Sequence, residues 1–366
     1  VITISLCMIV KDEEEVLHQC LSSIVDICDE IIIVDTGSSD KTKEIAEQFT
    51  SNLFDFEWID DFAAARNFAF SKANMEYILW LDGDDLLLHA DQTKLKALKE
   101  NLSNDVDAVT MLYHLAFDEF GHSTFSSRRH RLVRKDREFK WIGPVHEYLE
   151  VGGNIIQSDI VIQHRKSNKT NDNVQSDRNI KIYEKRLEKG EEFSPRDLFY
   201  YANELKDHQQ FDKAVLYYVE FLLTKKGWVE DEVRSCINLA SCYRNLGDEE
   251  KVHEALVLSL KYDVPRPEVS CQLGDIYKEK NMYKKAIIWY KLAVEVDIDD
   301  TLGFKQEIYS TWYPHLQLCY CYWQIGEQEL SIKHNSIAKK FRPDDSRIIY
   351  NDQFYNEYFK SENYNE

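Results

Sequence analysis

The chain has 366 residues, 43% of them hydrophobic and 13% aromatic, which suits two compact domains and excludes general disorder. A formal charge of −20 and a pI near 5.0 exclude a duplex nucleic acid or an anionic membrane surface as the main partner, since both need a basic footprint.

The first half alternates apolar runs with helical patterns. Residues 1–10 (VITISLCMIV) and 30–34 (EIIIV) read as buried parallel strands, with a helix over 13–25 between them. A helix is expected over 40–49, a short strand over 52–58, a helix over 63–73 and a strand over 77–81. A helix over 93–102 and a strand over 108–117 follow. This order predicts an α/β fold with a mostly parallel sheet and helices on both faces. Ligands of such sheets bind beyond the carboxyl ends of the strands, where the strand order reverses. Asp35 ends one strand there and Asp82, Asp84 and Asp85 end another.

The polar stretch 167–177 (SNKTNDNVQSD) marks the boundary, so a first domain is expected over 1–170, a connecting segment over 171–195 and helical repeats over 196–366. Ala240, Tyr243, Leu256 and Ser259 align with Gly274, Tyr277, Tyr290 and Ala293 at an offset of 34 residues, the period of tetratricopeptide-like helix pairs. An earlier unit carries Ala202, Phe211, Ala214, Tyr218 and Phe221, and a later one ends with Ala338 and Pro343. About four repeats result, with an insertion near 299–312 breaking the phase of the last.

Eight cysteines, mostly in apolar runs and without a Cys-x-x-Cys pair, read as core packing in a reducing compartment. No run reaches the ~18 apolar residues of a membrane span, and no charged-then-apolar leader precedes the first strand, so a cytoplasmic protein is expected. Because the sequence opens directly on a strand, a few residues are expected to precede Val1.

The run LWLDGDD (79–85) ends a greasy strand in three carboxylates within four residues. Such crowding raises proton affinity unless a cation offsets it. Asp82 and Asp84, two apart in an extended segment, face one side, and Gly83 lets a ligand approach the backbone. Magnesium or manganese takes one or two protein oxygens together with phosphates and water, so a cation carrying a diphosphate is predicted here.

These residues resemble the inverting glycosyltransferases of family 2, GT-A type. The resemblance covers roughly residues 1–165 and rests on CMIVKDEEEVLHQCLSSI, VDTGSSDKT, DDFAAARN, LDGDD and GPVHE, in that order. With the helical repeats behind it, the domain is similar more narrowly to the bacteriocin (glycocin) peptide S-glycosyltransferases. The resemblance implies a nucleotide-diphospho-sugar transferase domain followed by an all-α repeat domain. It also implies a UDP-sugar donor, glucose favoured, a Mn2+ or Mg2+ cofactor, and a peptide acceptor modified on Cys or Ser. The repeats would serve acceptor binding or homodimer formation. Transfer to a lipid-linked or cell-surface saccharide is the alternative enzyme, and a non-catalytic tetratricopeptide scaffold the alternative class.

Position by position, the resemblance implies that Val10 and the adjoining 11–13 border the nucleotide pocket, and that Asp35 accepts a hydrogen bond from uracil or ribose with Asp60 or Asp61 nearby. Asp40 is a helix cap or part of the same pocket. Arg66 pairs with an acid or meets the ligand. Asp82 faces the ribose, Asp84 binds the cation, and His164 is a second metal ligand; Asp85 has no assigned role. Glu147 is the expected base, with His146 as its orienting group or the alternative base, because a carboxylate or histidine can take the acceptor's proton. Arg131 and Arg134, in RRHRLVRKDR, assist the departing diphosphate or belong to a solvated basic face.

Overall fold

The computed structural model describes residues 1–119, 121, 123–165, 172–296, 303 and 305–362. Residues 167–171 of the boundary stretch, and 299–302 and 304 of the insertion expected to break the repeat phase, lie outside them. Two compact units are present: Val1–Glu191 with a short return at Lys305, and the chain from Glu192 onward.

The first unit runs β1 (Ile4–Val10), α1 (Leu17–Ile24), β2 (Glu30–Asp35), α2 (Thr42–Ala46), β3 (Leu53–Asp55), α3 (Phe62–Lys72), β4 (Tyr77–Trp80) and β5 (Asp85–Leu86). It continues with α4 (His89–Asn101), β6 (Ala108–Phe117), β7 (Ser123–Arg134), β8 (Lys140–Ile142), β9 (Tyr148–Glu150), β10 (Ile155–His164) and α5 (Asp172–Glu188). Eight strands form one sheet in the order β3-β2-β1-β4-β7-β6-β10-β5, and β8 pairs with β9 in a small second sheet.

β1 is parallel to both β2 and β4, with Val10 opposite Asp35 and Cys7 opposite Trp80. The chain goes first to β2 and β3 on one side of β1 and then to β4 on the other, so the order reverses between β1 and β4. The unbroken apolar runs are two-faced. Leu6, Met8, Ile31 and Ile33 pack with Leu17 and Leu21 of α1, whereas Cys7, Ile32, Val34 and Trp80 pack with Ala69 of α3 and with Trp141. Burial on both faces is why no polar alternation shows in these strands.

β7 corrects the reading of the basic run as a candidate solvated face. It is a central strand, antiparallel to both β4 and β6, and Arg131, Leu132 and Val133 are buried. α1 begins at Leu17 instead of residue 13, because Asp12 adopts a left-handed φ of 55° that turns the chain before the helix.

The second unit is helical among the described residues: α6 (Pro195–Asp207), α7 (Phe211–Thr224), α8 (Val229–Asn245), α9 (Glu249–Leu258), α10 (Pro267–Glu279), α11 (Tyr283–Glu295), α12 (Trp312–Gln324), α13 (Gln328–Phe341) and α14 (Ser346–Glu362). Consecutive helices pack as hairpins α6/α7, α8/α9, α10/α11 and α12/α13, and α14 covers α13. Small residues meet aromatics where the 34-residue register predicts. Ala202, Ala214, Ala240, Tyr218, Tyr290, Ala293 and Ala338 have no exposed surface. At Gly274 an added Cβ would come within 2.6 Å of the Tyr290 ring.

All eight cysteines are free and seven are buried, as core packing requires. Among the described residues no helix is long and apolar enough to cross a membrane.

Candidate active site

The carboxyl ends of β1, β2, β4 and β10 open on one edge of the sheet, because β6 and β10 run in the direction of β4. At the end of β1 the Val10 carbonyl accepts hydrogen bonds from the Thr36 N–H at 3.0 Å and the Thr36 hydroxyl at 3.2 Å, which joins the first two strand ends. Asp35 Oδ2 accepts from the N–H groups of Gly37 and Ser38, each at 3.0 Å. Its Oδ1 is buried with no partner among the described residues. An orphaned buried acceptor costs free energy until a donor arrives, and an N–H of a base or a ribose hydroxyl is such a donor.

Beyond β4 the LDGDD segment closes on itself. Asp82 N–H donates to Asp85 Oδ2 at 2.9 Å and Asp85 N–H to the Asp82 carbonyl at 3.1 Å. β5 then pairs antiparallel with β10 so that Asp85 lies opposite His164, and Arg165 N–H donates to the Asp84 carbonyl. This pairing brings His164 Nδ1 to 3.3 Å from Asp84 Oδ1, although the two are eighty positions apart. The Tyr113 hydroxyl lies 3.2 Å from the same nitrogen. The Asp84 hydrogen bond raises the proton affinity of His164, against its burial.

Donor atoms of Asp84, Asp85 and His164 all lie within 4.8 Å of one another. The carboxylate oxygens suit a hard divalent ion such as Mn2+ or Mg2+, while an imidazole is a donor more typical of transition metals. Asp85 joins the group but faces inward: it is 1% exposed, and its Oδ2 pairs with Arg131 Nη1 at 2.9 Å. Burial pushes its carboxyl up to about 6 despite that arginine. Glu13 is a further carboxyl beside the LDGDD acids. Burial, then Asp84 and Asp82, push it up to about 7. Its side chain lies over Gly83, where an added Cβ would meet Glu13 Cγ at 2.9 Å. The Cβ direction at Gly83 is therefore filled by Glu13.

Arg66 connects the acidic edge to the GPVHE segment. Its Nη2 donates to Asp82 Oδ1 at 2.7 Å and its Nε to Glu147 Oε1 at 2.6 Å. The guanidinium lies 5.1 Å from the Trp80 ring centroid and 4.8 Å from that of Trp141. Burial raises Asp82, but Arg66 and Arg131 overcome it and hold the carboxyl below the usual range. The neighbouring Asn67 exchanges two 2.9 Å hydrogen bonds with the backbone of Trp141, and Phe62 N–H donates to the Pro144 carbonyl. The DDFAAARN and GPVHE motifs are thus one bonded object. Asp61, at its start, caps α3 by accepting from Ala64 N–H through Oδ1.

Three expected contacts are revised. Arg131 is wholly buried, with its guanidinium 3.9 Å from the Trp80 ring centroid and 4.4 Å from that of Tyr113, so it underpins the site through Asp85 without reaching a diphosphate. Arg134 lies opposite Tyr77 at the start of β4, the far edge of the sheet, where it pairs with Asp136 at 2.9 Å. Residues three apart on a strand face opposite sides and sit ~10 Å apart, so one site cannot use both. His146 stacks on Tyr183 of α5, with centroids 6.4 Å apart and planes at 17°, which favours the orienting role over the basic one. Tyr113, Trp80 and Trp141 were missed as site residues. Trp80 lies within LWLDGDD and Trp141 just before GPVHE, but no local pattern marks either as a contact of Arg66.

The profile described as Glycosyl transferase family 2 matches residues 5–187, and one described as Tetratricopeptide repeat matches 267–299. The SPbeta prophage-derived glycosyltransferase SunS of Bacillus subtilis is 28% identical over 235 residues, covering 60% of this chain and 54% of that protein. A TPR repeat-containing protein of Synechococcus elongatus is 38% identical over 147 residues, 40% of this chain and 35% of its own length. The poly-beta-1,6-N-acetyl-D-glucosamine synthase of Staphylococcus epidermidis is 35% identical over 92 residues, 23% of this chain and 22% of that one. The chain therefore spans about a third to a half of the first two relatives and less of the third. The matched half of the sequence is the half that forms the parallel strands, their acidic ends and the Arg66 bridge, and on that ground the chain belongs to glycosyl transferase family 2.

Proposed function

We propose that the chain transfers a hexose, glucose favoured, with inversion from a UDP-sugar to a Cys or Ser side chain of a bacteriocin precursor peptide. The observation that carries this reading is the Arg66 bridge. It sets a candidate base, Glu147, and a candidate donor contact, Asp82, on one guanidinium beside the Asp84, Asp85 and His164 group.

In this mechanism the Asp35 Oδ1 acceptor receives a hydrogen bond from uracil or ribose, and Asp61 flanks the same pocket. Asp84 and His164 would hold a manganese or magnesium ion, and a bound ion would supply charge neutralisation to the departing diphosphate. Glu147 accepts the proton of the acceptor as its sulfur or oxygen bonds to the anomeric carbon, and the bond from that carbon to the diphosphate oxygen breaks on the opposite face. The base in this step is Glu147. A thiol, already a few per cent ionised at neutral pH, demands less of it than a hydroxyl does.

A peptide acceptor is supported by the helical unit. A groove of about 560 Å³ is lined by Asn238, Arg244, Gln272 and Lys278, among others. Asn238 and Gln272, like Arg244 and Lys278, are register-equivalent, so the groove repeats the same amide and cation along its length. The similarity to a polysaccharide synthase over 92 residues favours a saccharide acceptor as the second reading.

Hydrolysis of UDP-glucose and other UDP-sugars with and without manganese tests the enzyme, and no metal-dependent turnover of any of them would sink it. Intact-mass analysis of a co-expressed cysteine-bearing peptide tests the acceptor. A mass gain of one hexose on the peptide is expected, and a gain confined to saccharide primers would favour the second reading.

A further inference from the structure

We propose that Tyr183 on α5 is a positioning residue for Glu147, acting through His146 and the turn 143–147. The proposal rests on the reading of Glu147 as the base.

Two residues of that turn are left-handed, Gly143 with φ 94° and His146 with φ 52°. Glycine takes this conformation freely, whereas histidine does so at a cost, and such residues persist only where surrounding contacts over-determine them. The flanks are gripped from α3. Asn67 holds Trp141, Phe62 holds Pro144, Arg66 holds Glu147, and Val145 is 4% exposed. These contacts hold the residues on either side of His146. The Tyr183 ring bears on His146 itself, lying near-parallel to the imidazole in the offset range for aromatic pairs.

Tyr183 is itself immobilised. It is 1% exposed, beside the buried Ile180 and Ile182, and the same helix reaches the start of α3 through Arg178 over the Phe62 ring at 4.5 Å and Lys185 to Asp60 at 2.6 Å. Glu147 is the residue after His146. Rotation of the His146 backbone toward an ordinary φ would swing the Glu147 side chain away from Arg66, and a misplacement of ~1 Å is enough to cost a rate factor of about 100. α5 bears none of the motifs that carry the family resemblance, so no pattern in the sequence connects it to the chemistry.

The test uses the full chain with Tyr183→Ala, Tyr183→Leu and Tyr183→Phe, steady-state kinetics with UDP-glucose and manganese, and amide hydrogen exchange of the turn. Tyr183→Ala is expected to lower kcat by about 10–100-fold while the donor KM stays within about twofold, and to speed exchange at 145–147. Tyr183→Leu keeps apolar bulk and stands in if the alanine variant fails to fold; the same kcat loss is expected of it. Tyr183→Phe, which keeps the ring, recovers turnover to within about threefold of the parent. Lys181→Ala, which removes an exposed side chain of the same helix paired with Asp177 one turn away, is expected to leave turnover unchanged within about twofold.

A kcat of Tyr183→Leu within twofold of the parent overturns the proposal, as does an equal loss in Lys181→Ala. If the parent chain turns over no UDP-sugar, the glycosyltransfer reading falls by itself and the exchange measurement decides the positioning role. Faster exchange at 145–147 in Tyr183→Leu then supports it, and unchanged exchange refutes it.

Discussion

At the scale of single residues, charge at the sheet edge is balanced by a few buried cations, and their removal has separable consequences. Asp84 is half-buried at a strand end, so Asp84→Ala removes a ligand and little core volume. Metal-dependent turnover is expected to fall by at least ~100-fold with an almost unchanged melting temperature. Calorimetric titration with manganese checks the ligand role directly, and unaltered manganese affinity would refute it. Glu147→Gln is expected to keep UDP-glucose binding and lower transfer by ~10²–10⁴-fold. Arg131 has another role. Its buried partner Asp85 is left uncompensated in Arg131→Met, which is expected to cost ~3–5 kcal/mol in urea unfolding, with much of the loss recovered in the double variant with Asp85→Leu. Asp82 and Asp84 could be read as functional from their place after LWL, whereas Arg131 and Arg134 looked alike. Burial separates them, and burial depends on a strand pairing that no local pattern shows.

At the scale of elements, the parallel strands and the repeat register were legible because each rests on periodicity. β7 was not, since four arginines and a histidine within seven residues mask a strand in which Arg131, Leu132 and Val133 are buried in succession. The repeat register leads to a packing test. Gly274 has no room for a side chain against Tyr290, and Gly274→Ala is expected to destabilise the helical unit by ~1–3 kcal/mol in thermal or urea unfolding. The pair α12/α13 carries a titrating contact. His315 and His334 approach through their Nδ1 atoms at 2.8 Å and stack, and Tyr322 also stacks on His334. Burial, then His315 and nearby lysines, push His334 down to about 4 from 6.5. The unfolded chain therefore binds the proton first as pH falls, and stability present above about 6.5 is lost on the way down to about 4. Urea midpoints measured across that window should slope for the parent and flatten for His334→Gln.

At the scale of the whole molecule, the chain joins a family 2 unit to a solenoid of helical hairpins, and the transition in sequence grammar foretold both. The candidate site was only partly legible. Its acids sit in local motifs, and Trp80 lies in LWLDGDD, but nothing local marks Trp80 or Trp141 as contacts of Arg66, and the tyrosine on His146 comes from a segment with no sequence signature. Arg66 also bears on how such a chain can change. Its guanidinium serves Asp82, 16 positions away, and Glu147, 81 positions away. A loop carrying GPVHE cannot be transplanted by itself into a relative lacking that arginine without stranding a half-buried carboxylate. The heritable unit here is the pair of segments together, and the recombination breakpoints that such a gene tolerates lie outside both.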